Sequence, residues 1–223
     1  SAPGDDSDKD GFTGIDGDCN DCDANVNPGA VEVIAVPAAD AGVPAPVDED
    51  CDGKADNVPQ PCDDGLAVGD NDALNAAKAV ELCQQLVDPK KWGVKSAKWV
   101  LPDGSNAGGM PGFDLGHGLV SAFGPNVNVQ GGKRMLALSS GTARQPVDPG
   151  YQDVGGFDKG DASNSPQGFP KESPACPGSI TGEPHDGAAL QLEILTPTNA
   201  QGFSFSFTFF TYEWPDFICT TFN

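Results

Sequence analysis

Two Asp-x-Asp-x-Asp-Gly runs, Asp6-Ser-Asp8-Lys-Asp10-Gly11 and Asp48-Glu-Asp50-Cys-Asp52-Gly53, bracket the opening segment of this chain. Carboxylates two residues apart repel unless a cation sits among them, and a glycine after the third acid lets the backbone turn tightly around that position. A segment built this way cannot collapse on an apolar core. From Ser1 to Asp72, 19 acidic residues face only Lys9 and Lys54, a charge of -17, whereas the remainder of the chain contributes -4 to the total of -21. Such a block is either a solvated, self-repelling tail or a folded module with ions at its centre.

The spacing favours the module. Asp6, Asp8 and Asp10 stand at positions one, three and five of a calcium loop, and the Phe12 carbonyl stands at position seven. Gly17 occupies position twelve, where a Glu is usual, and Asp16 or Asp18 is expected to close the shell. A second candidate starts at Asp21 and places Asp23, Asn25, Asn27 and Glu32 at positions three, five, seven and twelve. It has Val26 where the turn glycine belongs, followed by Pro28-Gly29, and no helices flank it. The third candidate comprises Asp48, Asp50 and Asp52, with the Lys54 carbonyl and Asp56 at positions seven and nine. Two to three calcium ions are expected, and magnesium suits the many protein oxygens less well.

Residues Asp8-Lys-Asp10-Gly11-Phe12, Gly17-Asp18-Cys19-Asn20-Asp21-Cys22-Asp23, Asn27-Pro28-Gly29-Ala30-Val31-Glu32 and Asp48-Glu-Asp50-Cys51-Asp52-Gly53 together resemble the metal-binding-motif family related to the copper-binding protein MopE. The resemblance covers about residues 5 to 57. It implies metal binding and an extracellular or cell-surface location, and it raises copper as a rival ion. Copper prefers imidazole or sulfur ligands, and this segment holds neither His nor Met, so calcium is the expectation and copper the alternative.

Seven cysteines point to an oxidising compartment and hence to export. Cys19-x-x-Cys22 lies among carboxylates that would raise a thiol pKa, which argues against redox chemistry, and no second close pair supports zinc. Cys51 is expected to bond either Cys19 or Cys22. Order in the chain suggests Cys62 with Cys83 and Cys176 with Cys219, leaving one cysteine over. The opening Ser-Ala-Pro-Gly-Asp-Asp reads as an end left by signal cleavage. No apolar run approaches the roughly 18 to 20 residues of a membrane helix, and the acidity excludes a nucleic-acid partner.

Residues 35–47, rich in Pro and Ala, read as a connector, and the boundary of the acidic module (1–60) falls near residue 60. The second domain, 61–223, is expected to be mainly β, an antiparallel β-sandwich with one early helix. Asp72 can cap a helix running to about Leu86, ahead of Pro89. Strands are expected at Ser96–Leu101, Leu119–Phe123, Lys133–Leu138 and Ala188–Leu195, with a long pinned loop at 141–187. Gly202–Phe209 alternates aromatic and hydroxyl residues strictly and reads as a strand with one core face.

Ala76-Ala77-Lys78 to Cys83, Trp92-Gly93-Val94 to Val100, Ser139-Ser140-Gly141-Thr142-Ala143, and Pro197-Thr198-Asn199-Ala200 through Thr211-Tyr212-Glu213-Trp214-Pro215 resemble the choice-of-anchor L domain of bacterial surface proteins, over about residues 62 to 223. The resemblance implies the cell surface and no reaction. Such domains continue with further strand beyond the equivalent of Phe222-Asn223, a departure that fits a truncated or processed end and leaves the completeness of the sheet open.

An enzyme is not expected. Ser139-Ser140-Gly141 lacks a nucleophile elbow, His117 and His185 stand alone, and nothing distinguishes Glu193 and Glu213 from solvated strand ends. The expected partners are calcium and either copies of the chain in a fibre or another surface component, so the protein reads as adhesive, structural or filamentous.

Overall fold

A computed structural model describes residues 2–36, 44–57, 59–153, 157–212 and 214–221. Within the connector, 37–43 lie outside the described residues, as do Glu213 and the terminal Phe222-Asn223. The chain divides into two compact units. The first comprises Ser1–Pro61, Leu82–Ser96 and Glu193–Ser204, and the second Cys62–Glu81, Ala97–Leu192 and Phe205–Asn223.

The protein is low in helix and mainly β. The described strands are β1 (Gly93–Val100), β2 (His117–Val120), β3 (Ala122–Phe123), β4 (Val127–Asn128), β5 (Met135–Leu138) and β6 (Ala189–Leu195). They pair as three two-stranded sheets, β1 with β6, β2 with β5 and β3 with β4. The β2–β5 ladder is antiparallel, with His117 opposite Leu138 and Val120 opposite Met135. The expected Leu119–Phe123 strand is interrupted at Ser121, and β3 turns into its own antiparallel hairpin with β4.

Helix α1 (Ala73–Lys78) starts where Asp72 caps it, the Asp72 Oδ1 accepting the Leu74 N–H at 2.9 Å. It stops well short of Leu86. Glu81 takes a left-handed φ of 67°, a conformation that ends a helix. Beyond it, Gln84 and Leu86 bond the strand instead, the Leu86 N–H donating to Val94 O at 2.9 Å and the Val94 N–H to Gln84 O at 2.8 Å. Backbone pairing inside the first unit thus overrides a helical propensity worth only tenths of a kcal/mol per residue.

The first unit buries few apolar side chains, among them Phe12, Val26, Ala30 and Val94. Residues 197–200 clasp the acidic segment. Asn199 accepts the Val31 N–H at 3.0 Å and donates to the Val31 carbonyl at 2.8 Å, replacing a strand partner with one amide side chain.

The second unit has its core on β2, whose four residues are all buried. Leu119 packs with Ala76 and Ala79, flanked by Leu66, Trp99, Leu136 and Leu190, and a neighbouring cluster joins Leu101, Ala107 and Phe113. Between β5 and β6 the described residues carry no named strand. Buried side chains pin this stretch: Arg144 Nη1 donates to His117 O, and Asp186 accepts the backbone N–H groups of Lys159 and Asp161. The Cys176–Cys219 disulfide closes it further.

The expected strand at Gly202–Phe209 does not form. Its phenylalanines lie open, with Phe207 78% and Phe209 77% exposed. Period-two alternation makes a strand only where a neighbouring backbone offers a ladder and an apolar face, and the described sheets each close after two strands.

Candidate metal centre

The two Asp-x-Asp-x-Asp-Gly runs form the same turn. Asp6 accepts the Lys9 N–H at 2.7 Å on Oδ1 and the Gly11 N–H at 3.1 Å on Oδ2. Asp48 likewise accepts the Asp52 N–H at 3.0 Å and the Gly53 N–H at 2.9 Å. Gly11 and Gly53 have φ of 96° and 90°, a region that side chains with a Cβ rarely enter. These bonds fix the first carboxylate of each run, and Asp6 then groups with Asp8 and Asp10 and Asp48 with Asp50.

Neither run has an acid at position twelve, where Gly17 and Pro59 stand. Both are completed by the ends of the segment that reads as a middle loop. Asp18 and Asp21 bring carboxylate oxygens within 4.8 Å of each other and of Asp8, which groups by the same measure with Asp6 and Asp10. Glu32 groups with Asp48 and Asp50, and also with Glu49 and Asp56. Asp21 and Glu32, expected to share one ion, therefore part company. Val26 cannot supply the left-handed turn such a loop requires, and its side chain is buried instead. Asn27 is fully buried with its Oδ1 taken by the Gly29 N–H at 2.9 Å and the Thr198 hydroxyl at 2.8 Å. Asp23 accepts from the backbone and side-chain amides of Asn25, at 3.1 and 3.0 Å.

Three further expected ligands have other partners. Asp16 is paired with Lys90 Nζ at 2.8 Å, which together with the Thr13 hydroxyl holds its carboxyl below the usual range. Of the two expected closers of the first run, Asp18 joins the cluster. Asp52 receives Lys54 Nζ at 3.6 Å and the Asn57 side-chain amide at 3.1 Å. Phe12 contributes a buried ring, and its N–H donates to Asp10 Oδ1 at 2.7 Å. Glu49 was not anticipated, because it falls between the alternating acids of its run. Its backbone carbonyl accepts the Asn27 N–H at 2.8 Å, which seats it beside Glu32.

Cys19 is bonded to Cys51, Cys62 and Cys83 are also disulfide-bonded, and Cys22 is free and exposed.

The electrostatics are those of a site wanting positive charge. Burial, then the negative charge of Asp8 and Asp18, raises the Asp10 pKa despite its bond from Phe12. Burial, with Asp52, Glu32 and Asp48 adding repulsion, raises Asp50. Asp8 Oδ2, Asp10 Oδ2, Asp18 Oδ2, Glu32 Oε2 and Asp56 Oδ1 are buried oxygens without a hydrogen-bond donor. Leaving a buried acceptor unsatisfied costs about 1–3 kcal/mol, and more when it is charged. A hard divalent cation satisfies such oxygens directly, and an all-oxygen donor set fits calcium.

In the second unit, a separate cavity of about 300 Å³ is lined by Trp99, Met110, Phe113 and His117, with Asn71 and Asn106 at its polar side. The His117 ring stacks on Trp99 with centroids 3.8 Å apart, and its Nδ1 is buried without a partner. Burial, reinforced by Arg144, lowers its pKa to about 4, so the imidazole is neutral at physiological pH. Glu193, weighed above as a catalytic acid, bonds Lys95 Nζ at 2.6 Å.

No protein-family model, curated protein or solved structure matches this chain.

Proposed function

We propose that the first unit is a calcium-binding module of a non-enzymatic, exported bacterial surface protein, in which calcium takes the place of a hydrophobic core. The observation that carries this reading is the set of buried carboxylate oxygens on Asp8, Asp10, Asp18, Glu32 and Asp56 that lack any donor. Their convergence as groups from separate stretches of chain supports it, since like charges gather only where something offsets their repulsion. The disulfides suit an oxidising location, and no helix among the described residues is long and apolar enough to cross a membrane. The resemblances to the MopE-related motif and the choice-of-anchor L domain point the same way. Native mass spectrometry of chelator-stripped protein tests the reading: calcium should be taken up ahead of magnesium and copper, whereas preferential copper uptake or no uptake would overturn it.

A second reading, self-assembly into a fibre, is favoured by the open aromatic segment. Residues 200–212 carry no charge in a chain of -21, so this is a surface on which two copies can meet without repulsion. Strand addition there would give the phenylalanines a ladder and complete the second unit as a β-sandwich. Electron microscopy tests it: wild-type protein should form filaments that Phe207→Ser/Phe209→Ser abolishes, and monomers alone, with or without calcium, would contradict it.

A further inference from the structure

We propose that Asp8 is a bridging ligand, so that the first loop is a two-ion centre rather than a seat for one ion. The inference rests on the calcium reading above and specifies how that site is filled.

Two groups of three carboxylates meet at this residue. Asp6, Asp8 and Asp10 form one, and Asp8, Asp18 and Asp21 the other, each with its oxygens within 4.8 Å of one another. Apart from Asp8 the groups share no donor, and they come from opposite ends of the 6–21 segment. Within the first, Asp10 is oriented by the Phe12 N–H at 2.7 Å on its Oδ1, which leaves its Oδ2 buried and donorless. Within the second, Asp18 accepts the Asn20 N–H at 2.8 Å on its Oδ1 and likewise leaves its Oδ2 donorless. Asp18 is only 9% exposed, so water does not relieve that oxygen. Asp8 is held by the Asp10 N–H at 3.3 Å on Oδ1, with Oδ2 again buried and donorless. One donorless oxygen therefore belongs to each group, and a third belongs to the residue they share.

Charge decides between one ion and two. Five ionised carboxylates, Asp6, Asp8, Asp10, Asp18 and Asp21, carry five negative charges. One divalent ion leaves three of them uncompensated, and two ions leave one. Lys90 is engaged by Asp16, and counting the exposed Lys9 of the same segment lowers the net to four negative charges, which two divalent ions offset and one does not. Uncompensated charge in a partly buried cluster is costly, whereas a carboxylate readily offers one oxygen to each of two calcium ions. Backbone carbonyls and water, the usual further partners of calcium, would fill the remaining positions of each ion.

Counting ions tests this. The full chain, stripped by chelator, is loaded with the calcium concentration that just saturates wild type, and bound ions are counted by native mass spectrometry. Asp6→Asn and Asp21→Asn are each expected to lose one ion, the double variant two, and Asp8→Asn two. Asp8→Glu, which keeps the bridging charge, should recover at least one of them. The Asp6/Asp21 double variant leaves Asp8 intact and gives the answer even if Asp8→Asn fails to fold. If the double variant loses only the single ion that each parent loses, the bridge is overturned while the calcium reading stands. If wild type takes up no calcium, the calcium reading itself is overturned.

Discussion

The disulfide between Cys19 and Cys51 joins the residue after Asp18 to the residue after Asp50. It thereby ties an acid of the first carboxylate group to an acid of the second across a separation of 32 residues. Like charge on these two stretches opposes their approach, so the covalent link acts on the same structure that the proposed ions would hold.

Removing that link should weaken both halves. In Cys19→Ala/Cys51→Ala, unfolding by denaturant should show a loss of about 4 kcal/mol, the scale expected for a loop closed across a separation of 32 residues. Calcium affinity, measured by titration calorimetry, should fall with it. Unchanged affinity would mean that each group is organised without the other.

Asp16 and Asp18 were equal candidates for closing the first loop, and they should now respond differently. Asp18→Asn should weaken calcium binding at least about tenfold, a change of about 1.4 kcal/mol. Asp16→Asn breaks the Lys90 pair and should leave affinity within about twofold. Calorimetric titration of the two variants side by side checks the ranking.

His117 should make the second unit sensitive to acid. Its folded pKa of about 4 lies below the 6.5 of an unfolded histidine, so between these values the unfolded chain binds the extra proton. Stability is therefore present in full above pH 6.5, is lost as pH falls toward 4, and levels off below that. His117→Gln should flatten this part of the melting temperature against pH, measured with the calcium-loaded protein.

Gly93 has φ of 154°, and a Cβ there would lie 2.7 Å from Leu86 N and 2.8 Å from Gln85 C. Those are backbone atoms held by the Gln84–Val94 and Leu86–Val94 bonds, so they cannot move aside cheaply. Gly93→Ala should cost about 1–3 kcal/mol in denaturant unfolding.

Local features of the sequence carried much of the architecture. The Asp72 cap, the strands at β1, β2, β5 and β6, and the two glycine-turned acidic runs all depend on residues a few positions apart. What escaped depends on partners distant in sequence. Asp21 and Glu32 have the spacing of one loop, yet Asp21 is drawn to Asp8 while Glu32 lies beside Asp48, and only the Cys19–Cys51 link and the seating of Glu49 against Asn27 explain why. Helix α1 is cut short by pairing of Gln84 and Leu86 with Val94, contacts that helical periodicity does not register. The Phe207 and Phe209 alternation reads as a strand because pattern reports what a residue could bury and is silent on whether a neighbour is there.

The central claim is that ions stand in for a core in the first unit, and thermal unfolding with and without calcium tests it most directly. A ligand at a hundred times its Kd stabilises the folded state by about 2.7 kcal/mol per site. The account predicts that chelator lowers the melting temperature by many degrees and that added calcium, but not the same ionic strength of sodium chloride, restores it. A melting temperature identical in chelator and in excess calcium would contradict the account.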